Sequence, residues 1–147
     1  MSLCIKSAAI LSGNRTHAAF DKKILHQLGI ANAGQFVRAG DAGSLVEDGR
    51  AQILLVDSEL EDMDVVAFIR DLKRRRGGRL LPVVMVTLEN RRELVLDAIS
   101  AGCSGYVLRP YAPSTLERHL LLASESSRLD DIETEQLANA HNLVSMG

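Results

Sequence analysis

Three chemically distinctive side chains each follow a short apolar run in this sequence. Asp57 comes directly after ILLV, Thr87 after VVMV, and Arg109 after YVL. A carboxylate can act as a nucleophile, and a hydroxyl and a guanidinium can hold the oxygens of a phosphoryl group. If the three side chains meet, the set predicts an acyl-phosphate site in which Asp57 is the nucleophile. A helix-capping or surface carboxylate is the alternative for Asp57 on its own.

The elements that position these side chains alternate between strands and helices. Short apolar runs predict five strands, over residues 8–11, 35–38, 53–56, 82–86 and 106–108. Helical periods lie between these runs, with apolar residues three and four positions apart. This alternation favours an α/β fold, a doubly wound parallel sheet with helices on both faces. Because such sheets bind ligands at the carboxyl ends of their strands, the three side chains belong at one edge.

The first helical period indicates which side chains should face the core. Its apolar face is predicted at Phe20, Ile24, Leu25 and Leu28. Gly29 then supplies a stop signal for this helix. A shorter helix is predicted over residues 44–48, and two further helices are centred on residues 65–72 and 94–99.

The composition of the chain excludes several classes of protein. Of its 147 residues, 46% are hydrophobic and 24% are charged, which is typical of a globular domain and not of a disordered chain. A net charge of −2 and the absence of Trp argue against a nucleic-acid or anionic-membrane surface. No apolar run reaches the roughly 18 residues of a membrane span, and no signal-peptide pattern opens the sequence. We therefore predict a cytoplasmic protein, in which Cys4 and Cys103 are reduced thiols.

In order and spacing, four segments of this sequence resemble the response-regulator receiver domain (CheY-like), the phosphoacceptor domain of bacterial two-component signalling. These segments are Leu54–Asp57 with Met63–Asp64, Pro82–Thr87, Ala98–Tyr106, and Arg109–Tyr111 with the helical period from Ser114. The resemblance covers about residues 6–127. It implies a five-stranded parallel sheet in the order 2-1-3-4-5.

The same resemblance implies roles for the residues at the strand ends. Asp57 lies at the phosphoacceptor position and Thr87 at that of the switch hydroxyl. Tyr106 lies at the position of the aromatic switch, whose ring moves inward when the hydroxyl is drawn to the phosphoryl group. A histidine kinase or a phosphotransfer protein is then expected as the phosphoryl donor, and a downstream protein is expected to take up the signal.

Two departures from the receiver pattern weaken the implied chemistry. Receivers place an acidic pair after the first strand, where it holds Mg²⁺ with the phosphoacceptor, but this sequence has Ser12 and Gly13. Because Mg²⁺ prefers carboxylate oxygens, its binding to Asp57 is expected to be weak, even with Glu59 as a second carboxylate. Glu59 is alternatively a solvated loop charge. Arg109 replaces the usual Lys, and its planar fork is expected to pair with Asp57.

The chain divides into a receiver over residues 1–128 and a C-terminal helical extension over residues 129–147. Apolar residues of the extension fall within an arc of roughly 140° on a helical wheel. They are Leu129, Ile132, Leu137, Ala140, Leu143 and Val144. An amphipathic helix must bury such a stripe. Pairing with a second subunit and folding back onto the receiver are the alternatives, and we favour the homodimer.

The sequence therefore predicts a stand-alone receiver protein in which Mg²⁺-dependent phosphorylation of Asp57 is weak or absent. The alternative is a phosphorylation-independent pseudo-receiver that acts through protein–protein contacts or dimerisation.

An enzyme on the same fold is disfavoured, because the sequence has no Gly-rich phosphate loop, nucleophile elbow or Cys–His pairing. The four His residues are scattered and suggest no ligand set. A DNA-binding output is also disfavoured, since about 20 residues beyond the receiver are too few for a helix-turn-helix domain.

Overall fold

Five strands form a single parallel sheet. They are β1 (Ser7–Leu11), β2 (Asn32–Phe36), β3 (Ile53–Asp57), β4 (Val83–Thr87) and β5 (Gly105–Leu108). The computed structural model describes residues 5–41, 51–75 and 80–125. Neighbouring strands are parallel, and their order across the sheet is β2-β1-β3-β4-β5. The predicted sheet and its order 2-1-3-4-5 are therefore confirmed.

Helices cover both faces of this sheet. Among the described residues, the longer helices are α1 (Arg15–Gln27), α2 (Val65–Arg74), α3 (Arg92–Ala101) and α4 over residues 113–125. Residues 39–41 are also helical. One core cluster joins α2 and α3 to one face, and a second cluster joins α1 and α4 to the other. Within the described ranges, no helix has the length and apolar character of a membrane span. The predicted helix over residues 44–48 and the predicted extension over residues 129–147 lie outside the described residues.

The central strands β3 and β4 are buried along their whole length, because helices cover both of their sides. Leu54 and Val56 belong to the α2/α3 cluster, while Ile53 and Leu55 belong to the α1/α4 cluster. Successive side chains of a strand point to opposite faces, so both faces need apolar residues here. This explains why these strands read as continuous apolar runs in the sequence.

The second strand lies earlier than predicted. The structure has β2 at Asn32–Phe36, whereas the sequence predicts a strand over residues 35–38. β2 is an edge strand, and most of its side chains are at least partly exposed. No apolar run marks it, so the hydrophobic pattern located it poorly.

The buried face of α1 also differs from the prediction. Phe20 is 41% exposed, and its ring packs edge-to-face on Tyr111 with the ring centroids 5.3 Å apart. The inward positions are Ala18, Asp21, Ile24 and Leu25. The prediction for Phe20 was wrong because it considered apolar residues alone, whereas this helix turns a carboxylate inward to a buried partner.

Gly102 ends α3 and directs the chain towards β5. It adopts the left-handed conformation, with a φ of 119°. A Cβ at this position would lie 2.6 Å from Cγ of Lys73. The conformation and the close approach both favour glycine here.

We predict that Gly102→Ala lowers the free energy of unfolding by more than about 1–2 kcal/mol, the cost of a left-handed conformation for a residue with a Cβ, because Lys73 also has to move. Gly29→Ala is the matched comparison, because Gly29 has a φ of 91° but open space around an added Cβ. It should lose less stability, since no neighbour such as Lys73 has to move. Urea denaturation of both variants measures the difference. A Gly102→Ala protein as stable as the parent would contradict this explanation.

Candidate functional site

The carboxyl ends of four strands bring polar side chains to one edge of the sheet. Asp57 ends β3 and Thr87 ends β4, while Ser12 follows β1 and Arg109 follows β5. The side chains of Ser12 and Arg109 both reach Asp57. The site is therefore built where a doubly wound sheet ordinarily binds ligands.

Both carboxylate oxygens of Asp57 are engaged by neighbouring groups. Oδ2 accepts hydrogen bonds from Ser12 Oγ at 2.9 Å and from Arg109 Nη2 at 3.2 Å. The same oxygen lies 2.8 Å from Nδ1 of His17. Oδ1 accepts from the backbone N–H of Glu59 at 2.9 Å. Because Asp57 is only 3% exposed, these groups replace water around its carboxylate.

The principal partner of Arg109 is Asp21, not Asp57. Nη1 and Nη2 of Arg109 donate to the two oxygens of Asp21 at 2.9 and 2.7 Å, which is a bidentate pair. Tyr111 also donates its hydroxyl to Asp21 Oδ1 at 2.7 Å. The expected contact between Arg109 and Asp57 is present, but it is a single hydrogen bond and is longer than the two that Arg109 makes with Asp21. The prediction that the fork of Arg109 pairs with Asp57 is corrected accordingly, because a second buried carboxylate competes for it.

The surroundings of Arg109 keep its guanidinium charged. Burial by itself lowers the pKa of Arg109, but the hydrogen bonds and charge of Asp21, together with the charge of Asp57, raise the pKa above its ordinary value. The side chains of Arg109 and Asp21 are 6% and 2% exposed. Buried charges of this kind persist only where they are paired.

Thr87 and Tyr106 occupy the positions that the resemblance gives to the switch. The Thr87 hydroxyl is fully buried and accepts from Ser58 Oγ at 2.8 Å and from the backbone N–H of Glu89 at 2.9 Å. Tyr106 lies opposite Met85 in the sheet and is partly buried against the α2/α3 cluster. The hydroxyl is thus held by its immediate surroundings.

Gly13 lets the loop after β3 pack against the end of β1. Its backbone N–H donates to the carbonyl of Glu59 at 2.7 Å. A Cβ at Gly13 would lie 3.0 Å from the backbone nitrogen of Glu61 and 3.1 Å from the Glu59 carbonyl oxygen. An acidic side chain at position 13 therefore conflicts with this position of the loop.

Asn14 precedes α1 and organises two further polar side chains at the site. As the N-cap, its Oδ1 accepts from the backbone N–H of His17 at 3.1 Å. Its Nδ2 donates to Oε2 of Glu59 at 3.0 Å. Nδ1 of His17 lies 3.4 Å from the same Glu59 oxygen. His17 therefore belongs to the site, although the scattered His residues of the sequence suggested no ligand set.

The groups around Asp57 do not suit Mg²⁺, the ion that the resemblance implies. Mg²⁺ demands oxygen ligands in octahedral geometry and is usually held by one or two carboxylates. Ser12 and Gly13 supply no carboxylate, and the Asp57 carboxylate already faces a guanidinium and an imidazole. In the described part of the chain, Glu59 is the other carboxylate of this cluster, and its side chain is 58% exposed.

The sequence carries a signal for two further residues of the site, Asp21 and His17, in their spacing along α1. Asp21 follows Ala18 by three residues and precedes Leu25 by four, so all three share one face of α1. A carboxylate on an apolar face requires a buried partner. His17 precedes Asp21 by four residues and so lies on the same side, one turn nearer the start of the helix.

We predict that Asp21→Ala destabilises the fold by about 3–5 kcal/mol, because it leaves Arg109 as a buried charge without its main partner. Asp71→Ala is the matched control, since Asp71 makes an exposed ion pair with Arg75 at 3.2 Å. Exposed pairs contribute about 1 kcal/mol or less. Denaturation of both variants in guanidinium chloride measures the two losses. A similar, small loss for both would contradict a structural role for the buried pair.

Tyr111 should make stability depend on alkaline pH. Burial raises the pKa of Tyr111, and its hydrogen bond to Asp21 raises the pKa further. The folded protein thus holds the phenol proton more tightly than the unfolded chain, whose tyrosine pKa is about 10. The resulting stabilisation is fully present below about pH 10 and is lost as the pH rises above it.

We therefore predict that the unfolding free energy falls less steeply in Tyr111→Phe than in the parent above about pH 10. Urea denaturation at a series of alkaline pH values compares the two slopes. Parallel slopes would show that Tyr111 does not titrate differently in the folded and unfolded states.

Comparison with known proteins gives a consistent family assignment. The family model for the response regulator receiver domain matches residues 12–121. Over 99 residues, the chain is 27% identical to the chemotaxis protein CheY of Pseudomonas aeruginosa, which covers 67% of this chain and 80% of that protein. It is 26% identical over 99 residues to CheY-3 of Vibrio cholerae, which covers 67% of this chain and 76% of that protein.

Solved structures agree with this assignment. The signal receiver domain of a modulated diguanylate cyclase from Desulfovibrio desulfuricans superimposes with a TM-score of 0.74 at 28% identity, covering 86% of this chain and 98% of that one. The receiver domain of a sensor histidine kinase from Pseudomonas aeruginosa, solved with a magnesium ion in its active-site cleft, has the same fold (TM-score 0.74, 19% identity, 83% and 99% covered). With its five-stranded sheet and an aspartate at the end of β3, the chain belongs to the response regulator receiver family of two-component signalling.

Proposed function

We propose that this chain is a receiver whose output does not depend on Mg²⁺-assisted phosphorylation of Asp57. The observation that supports this proposal is the engagement of both Asp57 oxygens by groups of the protein itself. Receiver domains are generally not enzymes, and the proposal assigns no catalytic turnover to this one. Signalling then proceeds through protein–protein contacts, and phosphorylation is weak or absent.

Phosphorylation of a carboxylate requires a free oxygen and a positive charge that stabilises the phosphoryl group during transfer. Attack through Oδ2 of Asp57 requires that the groups of Ser12, His17 and Arg109 move aside. The charge of Arg109 is balanced by its bidentate contact with Asp21. No acidic pair follows β1 to recruit a divalent cation, which would otherwise neutralise the phosphoryl oxygens. Each of these features raises the barrier to phosphoryl transfer.

The proposed route for output is the surface of α3 and α4. Receiver domains interact with histidine kinases or phosphotransfer proteins and with downstream effectors. Here Leu96 and Ile99 on α3, and Leu122 on α4, are each about half exposed. We propose that these side chains contact the protein partner. Homodimerisation through α4 and residues 129–147 stays a prediction.

We predict that Mg²⁺ and acetyl phosphate together leave this protein without a phosphoryl adduct on the time scale that labels a receiver with an intact acidic pair. The rate should be lower by roughly 100-fold or more, the usual cost of losing one group that stabilises transition-state charge. Intact-protein mass spectrometry measures the adduct. The chemotaxis protein CheY of Pseudomonas aeruginosa serves as the comparison, and Asp57→Asn controls for modification at other residues.

A thermal-shift measurement with Mg²⁺ and beryllofluoride tests the same proposal without covalent chemistry. A ligand that binds the folded state raises its unfolding free energy by RT ln(1 + [L]/Kd), where [L] is the ligand concentration. Because no binding is expected here, the melting temperature should be unchanged. Rapid Mg²⁺-dependent labelling of Asp57, or a clear stabilisation that Asp57→Asn abolishes, would overturn the proposal.

A further inference from the structure

The cleft at the strand ends combines Asp57, at the phosphoacceptor position, with an imidazole, a ligand type that the receiver chemistry does not use. Nδ1 of His17, a carboxylate oxygen of Asp57 and a carboxylate oxygen of Glu59 all lie within 4.8 Å of one another. We propose that these three side chains form a site for a divalent transition-metal cation of the Zn²⁺ class. This inference goes beyond the proposed function, which concerns Mg²⁺ and phosphate, and it does not depend on it.

Two of the three distances between ligand atoms can be compared with those of a tetrahedral site. Bonds of about 2.0–2.2 Å from Zn²⁺ to nitrogen and oxygen place neighbouring ligand atoms about 3.4 Å apart. Nδ1 of His17 already lies 3.4 Å from Oε2 of Glu59. It lies 2.8 Å from Oδ2 of Asp57, so this pair has to separate by about half an ångström. A small rotation of the His17 ring or the Asp57 carboxylate is enough.

The ligand types select the class of metal. Imidazole suits Zn²⁺ and the later transition metals, whereas Mg²⁺ takes oxygen ligands almost alone. Two carboxylates and a neutral imidazole carry a charge of −2, which balances a divalent cation. Arg109 also approaches Asp57, but its charge is matched by Asp21 in the bidentate pair. The repulsion between Arg109 and a bound cation is therefore reduced.

Metal binding leaves the Ser12 hydroxyl with a hydrogen-bond acceptor. Ser12 Oγ, which donates to Asp57, also lies 3.0 Å from the carbonyl oxygen of Asn14 and can donate there instead. Oδ2 of Asp57 then has a lone pair for the metal. His17 coordinates through Nδ1 as the tautomer that carries its proton on Nε2, so the imidazole stays neutral.

Surrounding groups help to position the ligands, and Glu59 lies at the solvent side of the cluster. Asn14 accepts from the backbone N–H of His17, and its Nδ2 donates to Oε2 of Glu59, so it holds the side chain of one ligand directly. Such outer contacts orient metal ligands. A surface cavity of about 450 Å³, lined by Gly13, Asn14 and Glu59 among others, opens beside the cluster. It gives a metal ion a route from solvent, and it leaves room for water at the fourth position.

Calorimetric titration of the full chain with Zn²⁺ alone, in a buffer that does not chelate metals, tests this site. We expect one equivalent to bind. His17→Ala and Glu59→Gln should each lower the affinity by at least about 10–100-fold, since changes even to outer contacts of a metal site have effects of this size. His26→Ala is the matched control, because His26 is an exposed histidine of the same helix outside the cluster, and it should leave the affinity unchanged.

The visible absorption of Co²⁺ provides an independent readout, because tetrahedral Co²⁺ with nitrogen and oxygen ligands absorbs more strongly than the aqueous ion. The absorption should appear in the parent and in His26→Ala, and it should be lost in His17→Ala. Absence of Zn²⁺ binding, or binding that His17→Ala leaves intact, would overturn the inference. Phosphorylation with Mg²⁺ would instead contradict only the proposed function, so the two failures are distinguishable.

Discussion

The buried ion pair between Arg109 and Asp21 determines how the rest of the cleft is arranged. It joins α1 to the chain beyond β5, across 88 residues of sequence, and Tyr111 completes it from the same segment. Neither charge is stable in the interior without the other. Because the fork of Arg109 is directed at Asp21, it offers Asp57 a single, longer hydrogen bond. The carboxylate of Asp57 therefore takes its other partners from elsewhere.

Those partners come from the end of β1 and the start of α1. Ser12 and His17 both reach Oδ2 of Asp57, and the loop that supplies the Glu59 N–H packs down onto Gly13. In a receiver with an acidic pair, two carboxylates at these positions repel Asp57 unless a cation lies between them. Ser12 and Gly13 remove that repulsion. The Asp57 carboxylate is consequently surrounded by hydrogen-bonding groups of the protein itself.

The sequence predicts the parts of this structure that depend on apolar burial. The runs ILLV and VVMV identify β3 and β4 because both faces of these strands are covered, and the strand ends then locate Asp57 and Thr87. The pattern misplaces β2, an exposed edge strand, and the inward face of α1. Both failures arise where a polar residue occupies a position that the hydrophobic pattern cannot assign.

The hydrogen-bond partners of polar side chains were harder to predict than the strands and helices. Nothing local to Arg109 indicates that its partner is Asp21, since Arg109 follows β5 and Asp21 lies on α1, 88 residues earlier in the sequence. The spacing of His17 relates it to Asp21 but not to its partners Asp57 and Glu59, which lie about 40 residues away on β3 and the loop beyond it. The predicted division at residues 128/129 falls outside the described residues. The site could be located from the sequence, but its hydrogen bonding could not.

The hydrogen bonds within the cleft also constrain how such a receiver can change its conformation. A ligand or partner shifts a conformational equilibrium only by the difference between its affinities for the two states. The Thr87 hydroxyl is held by Ser58 and Glu89, and the Thr87 carbonyl accepts from the Arg109 N–H at 2.7 Å. Movement at the end of β4 is thereby tied to the buried ion pair. A partner that binds α3 and α4 therefore shifts the cleft only if its affinity differs between two arrangements of these contacts.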